Sequence, residues 1–411
     1  MEFAFTPQQE ALRKEVRAFI ARHLTPDVLA EMEEHNEGHA FTRNTCHSQH
    51  LSTFFDKIAD RGWVGMSYPK EYGGQGKDRV SQYIVEEEFC RANISISLGG
   101  SGAPAIMAAG TEEQKRYFVP KLISGEISFA SGFTEPRGGA DLASLQCRAV
   151  REGDYYVING QKMYTSSAHR ATHVYLMART NKDVPKHRGI SIFLVPINTP
   201  GITVRPLWTI QSDPLPPPGT TYGQARTNET FYDDVRVHKS TLLGEENNGW
   251  GVGSMGLNLD RVGAWRYLIS VQRDEDIVNL VKEARASDRY SLATDPAIRD
   301  KLAELWIEAQ VCRLMTMRSM SIVEHGGNFA YEGSAEKVWA PEHGVKTTEA
   351  IAQMLGPYCQ LLNGSPRAIS RGIFAHNLMG AFQSGINHGS VQIMRDQVAR
   401  RGLGLPRGGK G

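Results

Sequence analysis

Two short segments carry the residue types best suited to holding a flat ring with polar edges. Phe133-Thr-Glu-Pro-Arg-Gly-Gly-Ala-Asp141 sets an aromatic and a hydroxyl beside a double-glycine turn. Gly160-Gln-Lys-Met-Tyr-Thr-Ser166 ends in a second aromatic and two hydroxyls. Aromatic faces stack on such a ring, while hydroxyls and bare main-chain amides direct hydrogen bonds to its edge. Read without that purpose, the first segment is a turn and the second a strand leaving one.

Other candidate chemistry is weaker. Gly251-Val-Gly-Ser-Met-Gly256 matches the G-x-G-x-x-G phosphate pattern, and Asp274 and Asp276 supply acids about 20 residues on. That pattern needs a buried strand running into the glycines, yet Gly244-Glu-Glu-Asn-Asn-Gly-Trp250 precedes it. The stretch is polar and would repel phosphate, so the glycines are expected at the start of a packed helix. His169 and His173 are four residues apart, as metal ligands on one helix face are, but they fall in a strand-and-turn region without a carboxylate cluster. Cys46, Cys90, Cys147, Cys312 and Cys359 are odd in number and contain no C-x-x-C. Neither a metal site nor a disulfide framework is expected from them.

These candidates need rigid elements behind them. Thr6, Pro7 and Gln9 form an N-cap, a first-turn proline and a capping-box partner. Leu12, Val16, Phe19, Ile20 and Leu24 then recur at helical spacing. Thr111-Glu-Glu-Gln114 caps a later helix carrying Tyr117 and Phe118, and Tyr68-Pro-Lys-Glu-Tyr-Gly-Gly74 reads as a loop. Further on the period changes. Tyr155–Gly160, His173–Met177, Ile190–Val195 and Ile202–Val204 are short, β-branched and aromatic, which predicts antiparallel strands. Asp213-Pro-Leu-Pro-Pro-Pro-Gly219 fits neither sheet nor helix and is expected to form an excursion. Long helices are predicted over about 254–286, 296–325, 335–358 and 366–400.

Composition bounds the partners. The 411 residues include 46 basic and 45 acidic side chains, and 40% are hydrophobic. A net charge of +1 removes the electrostatic case for nucleic acid or an anionic membrane as a main partner. A single core rarely grows past roughly 250–300 residues, so two or three structural units are expected. The N-terminal stretch lacks the pattern of a secretion signal, and no apolar run is long enough for a membrane span. The expectation is a soluble, cytoplasmic protein.

The two ring-holding segments together resemble the acyl-CoA dehydrogenases, flavoproteins that oxidise acyl thioesters to 2-enoyl thioesters. Further matches follow in the family's order: Gly110-Thr-Glu-Glu-Gln114, Pro185-Lys-His-Arg-Gly-Ile-Ser191, Phe231-Tyr-Asp-Asp-Val-Arg-Val237 and Leu243–Trp250. Gln353-Met-Leu-Gly356 and Gly402-Leu-Gly-Leu-Pro-Arg407 complete them, so the likeness covers nearly the whole chain. It implies an α+β fold: an N-terminal helical domain over 1–128, a central antiparallel β-barrel-like domain over 129–243, and a C-terminal four-helix bundle over 244–411.

The resemblance also implies FAD. Phe133, Thr134 and the Gly138-Gly139 turn fall where the family's β-domain touches the isoalloxazine. Tyr164 and Ser166 stand where the family has Trp and Thr, which implies aromatic cover for the ring and a hydroxyl near N5. Ala140 replaces a serine that contacts flavin or thioester, which implies one hydrogen bond fewer. Gln353 and Gly356 match the stretch that holds the adenine-side pyrophosphate from a neighbouring subunit, and Ser390 and Gln392 match residues that close over the same dinucleotide. The family's R-x-x-F-G pattern in the middle hairpin is absent, leaving Arg285 or Arg289 to replace its arginine.

The family's reaction requires a polarised thioester carbonyl and a base at the α-carbon, while flavin N5 accepts hydride from the β-carbon. The usual glutamate slot reads Asn387-His388-Gly389, without a carboxylate. Some members carry the base on the helix opening the C-terminal domain, just before an arginine; here Leu257-Asn-Leu-Asp260-Arg261 makes Asp260 the implied base and Arg261 its neighbour in the substrate site. The plainer reading is a surface Asp–Arg pair. His388 is either a neutral base or a lining of the space that glutamate leaves, and the lining role is expected. The implied function is acyl-CoA dehydrogenation of a branched, cyclic or steroid side-chain thioester, with an electron-transfer flavoprotein as acceptor. A homotetramer or a heterotetramer with a related chain is implied. The alternatives are a non-catalytic partner subunit, since Ala140, Asp260 and His388 all depart from the pattern, and a flavin oxidase-type relative.

Overall fold

The computed structural model describes residues 5–35, 49–92, 94–96, 102–209, 227–260, 264–287, 295–327, 329–362 and 365–406. The side chains of 33–35, 255, 257–260, 264–266, 269–270, 284–287 and 371 lie outside that description. The excursion expected at 213–219 and residues Arg261 and Arg289 lie outside it as well, and Asp260 and Arg285 are described in backbone only. The chain forms two compact units, residues 11–260 and residues 1–10 with 261–411.

The chain opens with α1 (Pro7–His23), α2 (Pro26–His35), α3 (Gln49–Asp60) and α4 (Arg79–Arg91). The start of α1 is capped as the sequence predicts: Thr6 N–H donates to Gln9 Oε1 at 3.0 Å and Gln9 N–H to Thr6 Oγ1 at 3.2 Å. Val16 and Phe19 of the helical stripe are buried with Leu51, Phe54, Phe55, Ile58, Trp63 and Phe89, and Leu12, Ile20 and Leu24 pack on the same cluster. Arg13 Nη1 lies 2.7 Å from both Glu87 Oε2 and Glu88 Oε1 and ties α1 to α4 by a buried ion pair. After α5 (Gly102–Ala109), the predicted capping box at Thr111 and Gln114 opens α6 (Glu112–Ile123).

The sheet follows: β1 (Phe129–Gly132), β2 (Arg148–Glu152), β3 (Tyr155–Lys162), β4 (His173–Arg179), β5 (Ile190–Pro196), β6 (Ile202–Leu207), β7 (Thr227–His238) and β8 (Leu242–Leu243). Its path is β6-β7-β3-β2-β4-β5-β8. The pairs β2–β3, β3–β7, β4–β5, β5–β8 and β6–β7 are antiparallel, whereas β4 meets β1 and one residue of β2 in parallel. Alternation along β4 and β5 serves two cores. Tyr175, Met177, Ile192 and Leu194 join α5 and α6 on one face, and Val174, Leu176, Phe193 and Val195 pack on the other.

The glycine motif at 251–256 lies inside α7 (Gly249–Asp260). The two-residue β8 and a polar turn precede it rather than a long buried strand. The glycines let α7 settle on β5: a Cβ on Gly249 would stand 2.7 Å from Ser191 Cα, and one on Gly253 would strike the Met177 side chain. Close packing, as the sequence predicts, accounts for them.

In the second unit α8 (Ala264–Ser287), α9 (Pro296–Glu324) and α10 (Glu332–Leu355) pack on one another. Asp295 caps α9 by accepting from Ala297 N–H at 2.9 Å. The run expected as one helix over 366–400 is broken into α11 (Ile373–Gly380), α12 (Gln383–Ile386) and α13 (Val391–Gln397). Two of the interruptions have a local cause. Gly372 (φ 80°) ahead of α11, and His388 (φ 52°) with Gly389 (φ 92°) between α12 and α13, adopt left-handed backbone, which cannot continue a right-handed helix.

Candidate active site

The two segments singled out in the sequence are neighbours. Thr134 C=O accepts from Met163 N–H at 2.8 Å, and Glu135 and Gly138 close a tight turn through main-chain bonds of 3.3 and 3.0 Å. Phe133 is buried and meets Tyr175 at 5.3 Å between ring centroids, tilted by 52°. Beyond the end of β3, Tyr164 turns into left-handed backbone (φ 55°), and its side chain is 58% exposed. Ser166 N–H donates to Tyr164 C=O at 2.9 Å, while the intervening Thr165 is buried against Thr230. Ser166, Gly139 and Ala140 are exposed, Thr134 is half-buried, and no atom lies within 4 Å of where a Cβ on Gly139 would stand. The result is an open ledge with an aromatic, hydroxyls and a bare glycine edge. A flat conjugated ring fits such a surface.

Behind the ledge stands a feature that sequence reasoning missed. Lys162 is fully buried, and its Nζ donates to Glu135 Oε1 at 2.8 Å and to Phe133 C=O at 3.1 Å. The Glu135 carboxylate also accepts from the main-chain N–H groups of Gln146 (2.5 Å) and Cys147 (2.8 Å). Burial here pushes the Cys147 thiol up to about 11. One signal was available: Lys162 shares strand parity with the buried Tyr156 and Ile158. A lysine at an inward position implies a buried partner.

In the second unit, Gln353 is exposed near the end of α10, and Gly356 caps that helix with φ 54° and open space on its α-carbon. His388 is exposed in the turn between α12 and α13. The buried Lys337 holds this turn, donating to Ser384 C=O and to Asn387 Oδ1 at 3.3 Å. Ser390 caps α13 by accepting from Ile393 N–H at 3.4 Å, and Gln392 is exposed in the first turn of that helix. Asp260 is the last residue of α7, with its side chain outside the described residues, as Arg261 is entirely.

The histidine pair is divided between two settings. His169 Nδ1 lies 2.9 Å from Asn228 Oδ1. His173 opens β4 between Phe118 and Phe129, and burial, helped by Lys121, pushes it down to about 4. Among the described residues no group of three or more His, Cys, Asp or Glu side chains could hold a metal ion, and no helix is long and apolar enough to cross a membrane.

Comparison with known proteins gives the same assignment along the whole length. The profiles of the acyl-CoA dehydrogenase N-terminal, middle and C-terminal domains match residues 6–126, 130–215 and 247–403. The acyl-CoA dehydrogenase FadE26 of Mycobacterium tuberculosis is 33% identical over 99% of each chain, and FadE29 of the same organism is 32% identical over 98% of each. Among solved structures, the Tcur3481-Tcur3483 steroid ACAD is similar with a TM-score of 0.82 and 31% identity, covering 99% of this chain and 100% of that one. The ChsE4-ChsE5 complex from Mycobacterium tuberculosis has a TM-score of 0.80 and 32% identity, with the same coverage.

Proposed function

The chain belongs to the acyl-CoA dehydrogenase family, and from that premise we propose that it desaturates a branched or cyclic acyl-CoA at its α,β-carbons and passes the electrons to an electron-transfer flavoprotein. The family is FAD-dependent. The observation that carries the reading is the exposed ledge formed where the 133–141 and 160–166 segments meet. When bound there, FAD supplies the acceptor for the hydride that leaves the β-carbon.

The chain's own residues do the rest. Tyr164 covers the face of the ring, Thr134 and Ser166 offer hydroxyls to its edge, and Phe133 with the Gly138-Gly139 turn brings main chain close to it. Gln353 and Gly356 of a neighbouring chain hold the pyrophosphate, with Ser390 and Gln392 closing over the dinucleotide. The Ser390 hydroxyl already caps α13, so its part is to fix the start of that helix. The Asp260 carboxylate takes the α-proton. His388 and Ala140 line the thioester site, and the missing glutamate leaves room for a substituted α-carbon. The steroid ACAD among the relatives supports a bulky acyl group.

Anaerobic mixing of the flavin-loaded protein with straight-chain, branched, cyclic and steroid side-chain acyl-CoAs tests this reading. The expected result is loss of the oxidised-flavin absorbance with the bulky thioesters, together with formation of a 2-enoyl-CoA. A folded, yellow protein that no thioester bleaches would overturn it. A second reading, a partner subunit that completes a relative's site, is favoured by the absence of a carboxylate at His388 and of a hydroxyl at Ala140. It requires the chain to be colourless alone and to gain flavin only with a co-expressed relative.

A further inference from the structure

We propose that the buried Glu135–Lys162 ion pair is a positioning device, which fixes the geometry of both ring-facing segments and so governs FAD retention and presentation. The proposal rests on the FAD reading above and adds to it two residues that do not touch the ring. Lys162 is 0% exposed and Glu135 is 7% exposed, so neither has surface to offer a ligand. Both stand next to residues that do. Glu135 follows Thr134, and Lys162 precedes Met163 and Tyr164.

The bonds of the pair converge on three separate stretches of chain. Lys162 Nζ reaches Phe133 C=O at 3.1 Å and Glu135 Oε1 at 2.8 Å, and the two Glu135 oxygens take the N–H groups of Gln146 and Cys147. The main-chain bond from Met163 N–H to Thr134 C=O then sets the register between the segments. A buried ion pair is a poor source of net stability, because desolvating two charges offsets their attraction, and well-packed apolar side chains do as well or better. What this pair adds is direction. Each charge has fixed main-chain partners, and losing one leaves the other buried and unpaired, so the segment must open to hydrate it. The segments that would move are those carrying Phe133, Thr134 and Tyr164.

A stability effect alone would not support the proposal, and the molecule supplies its own control. Arg13 makes an equally buried ion pair with Glu87 and Glu88 in the helical part of the same unit. Lys162→Met, Glu135→Gln and Arg13→Met are compared with the wild type by titrating apoprotein with FAD and by visible circular dichroism of the bound flavin. Lys162→Met is expected to weaken FAD binding by at least ~10-fold, the scale on which outer partners of a bound group act, and to change the dichroism of whatever flavin remains. Arg13→Met is expected to lower the melting temperature while leaving FAD affinity and dichroism at wild-type values. If Lys162→Met does not fold, Glu135→Gln, which keeps an oxygen for the amides, carries the same expectation. Wild-type affinity and dichroism in the folded Glu135 or Lys162 variant would overturn the proposal, as would an equal loss in Arg13→Met. A folded wild-type chain that takes up no FAD would instead overturn the cofactor reading beneath it.

Discussion

Replacing Asp274 with asparagine should make the protein's stability less sensitive to a rise in pH from acid to neutral, by an amount the structure sets. Asp274 lies on α8 and is 1% exposed, with His343 Nε2 of α10 at 4.0 Å from its Oδ2. Neither carboxylate oxygen meets hydrogen-bond geometry with a described residue, although the Thr347 hydroxyl lies close enough to favour the ionised form. Burial dominates and pushes the carboxyl from 3.8 up to about 7, with Glu275 and Glu308 raising it further and Arg273 opposing. His343 offers little compensation, because burial pushes its own pKa down, with Lys346 and Arg273 adding to the fall and the Leu305 carbonyl and Glu308 opposing it. A folded-state pKa above the unfolded one means stability that is complete below pH 4 and lost as pH rises through about 7. At 1.36 kcal/mol per unit, the full loss is about 4 kcal/mol, of which roughly 3 kcal/mol falls between pH 5 and pH 8. Urea unfolding of wild type and Asp274→Asn at those two pH values measures it. The variant should gain on the wild type by that amount as pH rises, since the amide keeps the shape and cannot ionise. A difference between the two proteins that is flat from pH 5 to pH 8 would refute the reasoning.

The glycines make two opposite predictions. Gly249→Ala drives a Cβ to 2.7 Å from Ser191 Cα and 2.8 Å from Ile190 O, main-chain atoms that cannot swing aside. It should cost about 1–3 kcal/mol in chemical denaturation. Gly139→Ala meets nothing within 4 Å. It should leave stability within about 0.5 kcal/mol of wild type while weakening FAD binding in an apoprotein titration, because the added methyl occupies the edge of the ledge. Gel filtration with a visible spectrum, after expression alone and with a related chain, separates self-sufficient assembly from dependence on a partner. The enzyme reading expects a yellow oligomer from this chain alone.

Much of the fold was legible because local chemistry and tertiary packing agree. The caps at Thr6 and Thr111 and the stripe from Leu12 to Leu24 need only their own neighbours to be recognised. The β-branched runs of β3, β4 and β5 are equally explicit. The broken helix after residue 366 was hidden because hydrophobic spacing continues across it, while the interruption depends on the backbone sign at Gly372, His388 and Gly389. At the candidate site, the aromatic and hydroxyl types of Phe133, Thr134, Tyr164 and Ser166 mark two segments that the structure makes neighbours. Their mutual contact, Thr134 C=O to Met163 N–H, is long-range and has no signature in either segment alone. Glu135 and Lys162 stand inside those two segments with no mark of their own, since a charge in a turn or at a strand end is ordinarily a surface residue. Only its partner, brought from 27 positions away, makes it otherwise.

The central claim is that the Asp260 carboxylate removes the α-proton of a bound thioester. Anaerobic stopped-flow reduction of the flavin in Asp260→Asn, beside His388→Ala, tests it most directly. The account predicts normal flavin content in both variants, reduction slowed by at least about 10²-fold in Asp260→Asn, and a much smaller loss in His388→Ala. Wild-type reduction by Asp260→Asn with a dead His388→Ala would contradict it.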